Sequence, residues 1–274
     1  KITGHGGDTT TADPPATTTM PTTTPSTTTP SPTPTPAPTV NFQKAVDQAV
    51  ASVTGAQFAL AVYDRQQNVL VADYQDELPF YTESVVKLLI GLDSLDRGGN
   101  PATVSEMLSR SDDNTADKLW GADGGVAIVT RMAAKIGLQH TTPPHNPGEW
   151  GDTRTTAGDV VQIYQYILGV APAAERDVVV AALHAATQIA ADGTDQYFGI
   201  PYAVGTSAPW AVKQGWACCE PGWVLNTTGL VGPSDRYIVV ALSSHNSGGG
   251  SRVRQTDSLQ LTAAVRALLP DLSS

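Results

Sequence analysis

The sequence predicts an α+β fold: a five-stranded antiparallel sheet flanked by N- and C-terminal helices, with an all-helical subdomain inserted after the second strand. Three observations carry that prediction. Apolar residues recur at helical spacing at both ends of the globular part, strand-like runs fall into an early pair and a late trio, and helical patterns fill the stretch between them. Hairpin-connected strands make the sheet antiparallel, so terminal helices can cover one face and the insert the other.

The first helix is marked by Phe42, Ala45, Val46, Ala49, Val50 and Val53, an i, i+3, i+4, i+7 stripe. Two apolar, partly β-branched runs follow at 58–63 and 68–74, separated by the polar Asp64-Arg65-Gln66-Gln67, and read as a β-hairpin. The insert, about 84–200, carries helical patterns at 85–95, 104–119, 126–136, 160–167 and 175–191, the last ended by Gly193. Strands resume at 210–217, 222–231 and 237–243, and a closing helix places Leu261, Val265 and Leu268 on one face.

Nine of the twenty prolines fall between Pro14 and Pro38, interleaved with threonine runs such as 22–24 and 27–29. Such a segment has almost no apolar surface to offset ordering entropy, and its prolines favour extended conformations. Residues 1–39 therefore read as a disordered Thr/Pro-rich stalk, and 40–274 as the folded domain. Ser/Thr-rich tracts with proline are the composition of O-glycosylated stalks on exported proteins, so a secreted or cell-wall associated protein is expected, with an unglycosylated tail as the alternative. The acidic balance, 26 Asp+Glu against 16 Lys+Arg, repels phosphate backbones and anionic lipid headgroups, which disfavours a nucleic-acid role. No apolar run approaches the roughly 18 residues of a membrane span, and none is expected.

Chemistry first shows at Thr82-Glu83-Ser84-Val85-Val86-Lys87, where Ser84 and Lys87 share one face at the start of a predicted helix. A partly desolvated lysine can be neutral enough to deprotonate a serine, and a helix N-terminus favours developing negative charge. Two further motifs follow in order: Ser111-Asp112-Asp113-Asn114-Thr115-Ala116, and Lys213-Gln214-Gly215-Trp216 on the first strand after the insert. An S-x-x-K, S-D-N, K-T-G succession of this kind resembles the penicillin-recognising serine enzymes, closest to class A β-lactamases and their penicillin-binding relatives, here as an actinobacterial-type exported member. Gly124-Gly125 and Ile200-Pro201 stand where that family has a paired glycine and an apolar-Pro step, and the resemblance spans roughly 41–270.

The resemblance implies acyl transfer on β-lactams or peptidoglycan D-Ala-D-Ala peptides. Ser84 would attack a carbonyl, Lys87 would take its proton, and the backbone N–H groups of Ser84 and Trp216 would hold the oxyanion. Lys213 would hold the substrate carboxylate, with Asp112, Asn114, Gln214 and Gly215 lining the substrate position. Aligning Asp113-Asn114 with the family's D-N puts Asp112 at the serine position and leaves Ser111, one residue earlier, as the nearest hydroxyl for proton shuttling. Gln214 stands where the family has Thr or Ser. The loop that carries the family's deacylating glutamate is short here, 140–156, and Glu149 is its only acid before Asp152. Glu149 is the candidate for that base, with a solvated loop carboxylate as the favoured reading, and without such a base the resemblance implies slow deacylation. The alternative is a catalytically inert relative that binds cell-wall material or a partner protein.

No cofactor is expected, organic or metallic: the five histidines are scattered, and His140 and His145 lack the helical i, i+4 spacing of zinc enzymes. No G-x-S-x-G surrounds any serine. Cys218-Cys219 can pair only through a strained eight-membered ring, pair with another chain, or stay unpaired; two small apolar residues at a strand end is the favoured reading, with a vicinal disulfide left open. A monomer is expected.

Overall fold

Period-2 alternation along the long strands decides the architecture, because it gives the central sheet two buried faces. The computed structural model describes residues 42–218 and 222–272, so the predicted stalk lies outside the described residues. Strands β1 (Ala56–Asp64) and β2 (Val69–Tyr74) form the predicted hairpin. With β5 (Trp210–Ala217), β6 (Val224–Val231) and β7 (Tyr237–His245) they make a five-stranded antiparallel sheet of order β2-β1-β7-β6-β5. Two short strands that the pattern did not announce, β3 (Phe80–Tyr81) and β4 (Arg154–Thr155), pair with each other.

On one face, Phe58, Leu60 and Val62 of β1 join Val239 and Ala241 of β7 against helices α1 (Gln43–Ser52) and α9 (Ser251–Leu272). On the other, Ala59, Ala61, Ile238, Val240 and Leu242 meet the inserted helices. That insert contains α2 (Lys87–Asp96), α3 (Pro101–Arg110), α4 (Asp113–Ala122), α5 (Val126–Ile136), α6 (Ala157–Gly169) and α7 (Ala173–His184). Helix α2 is buried from Lys87 to Leu95, which is why its sequence is apolar nearly all round rather than striped.

Two helical expectations change. The pattern at 104–119 is not one helix: Ser111 takes a left-handed φ of 53° that ends α3, and Asp112 starts α4 by accepting the N–H groups of Asn114 and Thr115. Local hydrogen bonding by an Asp outweighs an apolar stripe that continues across the break. Helix α7 stops at His184 rather than running to 191, and a five-residue helix, α8 (Ile200–Val204), follows before β5.

Candidate active site

Ser84 lies in a single 3-10 turn, Glu83–Val86, feeding directly into α2. Strand β5 passes close to it, and this explains Gly215: a Cβ there would come within 2.6 Å of the Thr82 carbonyl oxygen. From β6, the Asn226 amide donates to the carbonyls of Tyr81 and Thr82 at 2.8 and 3.2 Å, pinning the chain just before Ser84. Glu83 itself holds a left-handed φ of 48°, an uncommon conformation for a residue with a side chain.

Four predicted residues come together. Lys87 Nζ lies 2.6 Å from Ser84 Oγ, and Lys213 Nζ lies 2.9 Å from Ser111 Oγ. All four side chains are buried. The left-handed turn at Ser111 aims its hydroxyl at Lys213 without the backbone shift that a continuous helix would have required. Lys87 also donates to Asp113 Oδ1 at 2.6 Å and sits 4.1 Å from the centre of the Trp150 ring. Read without a gap, Ser111-Asp112-Asp113 is therefore S-D-N with a carboxylate in place of the amide. This corrects the sequence alignment: Asp113 stands beside Lys87, while Asn114 is exposed in the first turn of α4, and Asp112 caps that helix.

The surroundings lower the pKa of both lysines. Burial pushes the Lys87 ammonium below its ordinary pKa, with Asp113 pulling the other way. The ion pair is one-sided: the Lys87 side chain is 0% and the Asp113 side chain 54% exposed, so water screens the carboxylate and desolvation prevails. Lys213 is driven well below its ordinary value by burial and then by repulsion from Lys87. Glu83 is pushed up to about 8 by burial, by Asp152 and by Asp113, against the pull of Lys87. Ser84 opens onto a cleft of about 750 Å³, whose walls include Glu83, Asp113, Glu149, Trp150 and Trp216, with Lys87 buried behind it.

Other predicted residues are placed differently. Gln214 alternates to the α9 face of β5, where its Nε2 donates to the carbonyls of Gln196 and Phe198, so its amide is not offered to the cleft. Glu149 is exposed at the cleft wall, on a loop tied down at its base by Asp159, which accepts the His140 N–H and the Thr141 hydroxyl. The same loop brings Trp150 over Lys87, its indole N–H donating to Asp117 at 2.7 Å. Cys218 is disulfide-bonded and lines the cleft, against the favoured reading of small apolar residues; Cys219 lies outside the described residues. Sequence reasoning missed Asp113, Trp150, Glu83 and Asn226. Only Asp113 had a signal, in the ungapped Ser-Asp-Asp. No cluster of three His, Cys, Asp or Glu arranged to hold a metal is found among the described residues.

No protein-family model matches the chain. Solved structures that share its fold include the β-lactamase from Streptomyces albus G, with 19% identity, a TM-score of 0.66, and coverage of 84% of this chain and 99% of that one. The class A β-lactamase from Mycobacterium abscessus is 16% identical with a TM-score of 0.67, covering 83% of this chain and 98% of that one. The chain thus has the class A β-lactamase fold. Relatives in Mycobacterium tuberculosis and Mycobacterium bovis, each described as "Putative lipoprotein LppW", are 36% identical over 242 residues, covering 84% of this chain and 74% of theirs. On that likeness, the chain belongs to the same family as the LppW proteins of mycobacteria.

Proposed function

We propose that this protein is an exported serine hydrolase in which Ser84 is acylated by β-lactams or by D-Ala-D-Ala peptides of the cell wall, and in which the acyl-enzyme is released slowly. The observation that carries the reading is the paired contact of Lys87 Nζ with Ser84 Oγ at 2.6 Å and Lys213 Nζ with Ser111 Oγ at 2.9 Å. Neutral Lys87 takes the Ser84 proton as Oγ attacks the carbonyl carbon. The oxyanion is met by the backbone N–H groups of Ser84 and Trp216, and the proton passes to the leaving nitrogen through Ser111. The name of the LppW relatives supports export and a hold at a membrane surface; no helix among the described residues is long and apolar enough to cross one.

The second reading, a catalytically inert cell-wall or partner-binding protein, is favoured by one specific observation: Trp150 occupies the space over Lys87 while the only nearby loop glutamate, Glu149, is exposed. A fluorescent penicillin decides between them. Labelling that is lost in Ser84→Ala, with the variant still folded, upholds acyl transfer; labelling retained in the variant, or none in the parent over hours, upholds the inert reading.

A further inference from the structure

A second cavity, of about 500 Å³, opens between α8 and the first turns of α9, on the sheet face opposite the inserted helices. Two arginines line it, in a chain whose net charge is −10. Among the described residues, Arg254 has no carboxylate within ion-pair distance: its Nη2 donates to the Asp195 backbone oxygen at 2.9 Å, and its Nε is buried without a hydrogen-bond partner. Burial pushes its pKa down against the pull of Asp195 and Asp192. The Asp195 carboxylate, which also lines the cavity, is already engaged by the Tyr197 N–H, the Tyr202 hydroxyl and the Gln188 amide. Arg252 is exposed at the rim, and the Ser258 hydroxyl is buried with no partner.

Exposed apolar surface also lines the cavity, from Tyr202 on α8 and Leu259 on α9. Tyr202 and Leu259 are 48% and 60% exposed, large surface for side chains of that kind. Guanidinium groups and exposed apolar side chains lining one cavity suit an anion with an apolar body, since charge-assisted hydrogen bonds fix the head and area burial holds the rest. We propose that this cavity binds a small organic anion, a carboxylate or phosphate monoester on an aromatic or short aliphatic body, with its head at Arg252 and Arg254 and its body on Tyr202 and Leu259. The ring of Trp223, which lines the serine cleft, lies 5.6 Å from the Arg254 guanidinium.

Calorimetry on the full chain with 4-phenylbutyrate, phenyl phosphate and the uncharged 4-phenylbutan-1-ol tests this. Either anion should bind at least about tenfold more tightly than the alcohol, and the tighter of the two identifies the head group. Arg254→Gln should abolish that preference and the surface variant Arg252→Gln should weaken it severalfold, while Ser84→Ala should bind as the parent does. Equal affinity for the alcohol, no binding of either anion at 10 mM ligand (on the order of a weak fragment limit), an unchanged Arg252→Gln, or loss of binding in Ser84→Ala would each overturn the proposal. Because Arg252 is exposed, its variant remains informative if Arg254→Gln does not fold.

Discussion

On the sheet side of the cleft, Ser84, Lys87, Ser111 and Lys213 are buried and joined by hydrogen bonds of 2.6 and 2.9 Å; on the loop side, Glu149 is exposed and an indole lies over Lys87. The first arrangement suits formation of an ester. In the second, no loop carboxylate among the described residues is hydrogen-bonded to the Ser84 hydroxyl, whose partner is Lys87. Acylation and deacylation make separate demands on a site, and under the proposed reaction the two sides would meet them unequally.

The largest effect expected is on the sheet side. Lys87→Met keeps an unbranched side chain of nearly the same length, removes the base and takes a polar group out of a buried site, so acylation by a fluorescent penicillin should fall about 100- to 10,000-fold without loss of thermal stability. Unchanged labelling would mean that the proton leaves Ser84 by another route and would break the comparison at its stronger half.

On the loop side, the ester should persist. General bases contribute typically about 100- to 10,000-fold, so intact-protein mass spectrometry after brief exposure to a β-lactam should show one drug equivalent still attached after hours. Glu149→Gln should not change the decay. Rapid return to the free mass, with decay that stops in Glu149→Gln, would identify Glu149 as a base and make the walls equal.

Much of this asymmetry was legible in the residues, and what was not has physical causes. Ser84 and Lys87 could be paired from sequence because three positions on a helix share a face, and Lys213 from its place on the strand after the insert. Strand alternation, applied residue by residue, also places Gln214 opposite Lys213, on the α9 face, although the family pattern suggested a substrate contact. Residue identity alone pairs Asp113-Asn114 with the family's D-N, and only the left-handed turn at Ser111 with the Asp112 cap after it fixes the ungapped register that puts Asp113 beside Lys87. Trp150 reaches Lys87 from a Pro-rich loop whose path is set by Asp159 and the β3–β4 pair, long-range contacts with no periodic signature. Glu83 gains its high pKa from burial beside Asp152, a neighbour 69 residues away by the numbering.

Glu83 supplies a test at the seam between the walls. Its folded pKa of about 8 lies above the ordinary carboxylate value of 4.5, so the folded protein holds this proton more tightly than the unfolded chain does. The stability this group contributes is full below about pH 4.5 and is lost as pH rises through about 8. Urea titrations at pH 5 and pH 9 should show the parent losing on the order of a few kcal/mol more than Glu83→Gln, which has no proton to lose. Equal losses would mean that Glu83 faces water and does not bridge the nucleophile turn to the loop.

The smallest effect expected concerns Asp113, the carboxylate where the family pattern has an amide. Lys87 must be neutral to accept the serine proton, so the acidic limb of the acylation rate follows its pKa. Burial lowers that pKa and Asp113 raises it. Asp113→Asn keeps an oxygen to accept the Lys87 hydrogen bond and removes the charge, so the limb should move to lower pH and acylation on that limb should quicken. An opposite charge at hydrogen-bond distance shifts a pKa by roughly one to three units when shielded from water, and the half-exposed Asp113 belongs at the low end, about tenfold in rate. Stopped-flow labelling between pH 5 and pH 8 reads the shift. A limb that stays in place would show that a group other than Lys87 titrates, and one that moves upward would show that the carboxylate, rather than burial, keeps Lys87 ready to act as a base.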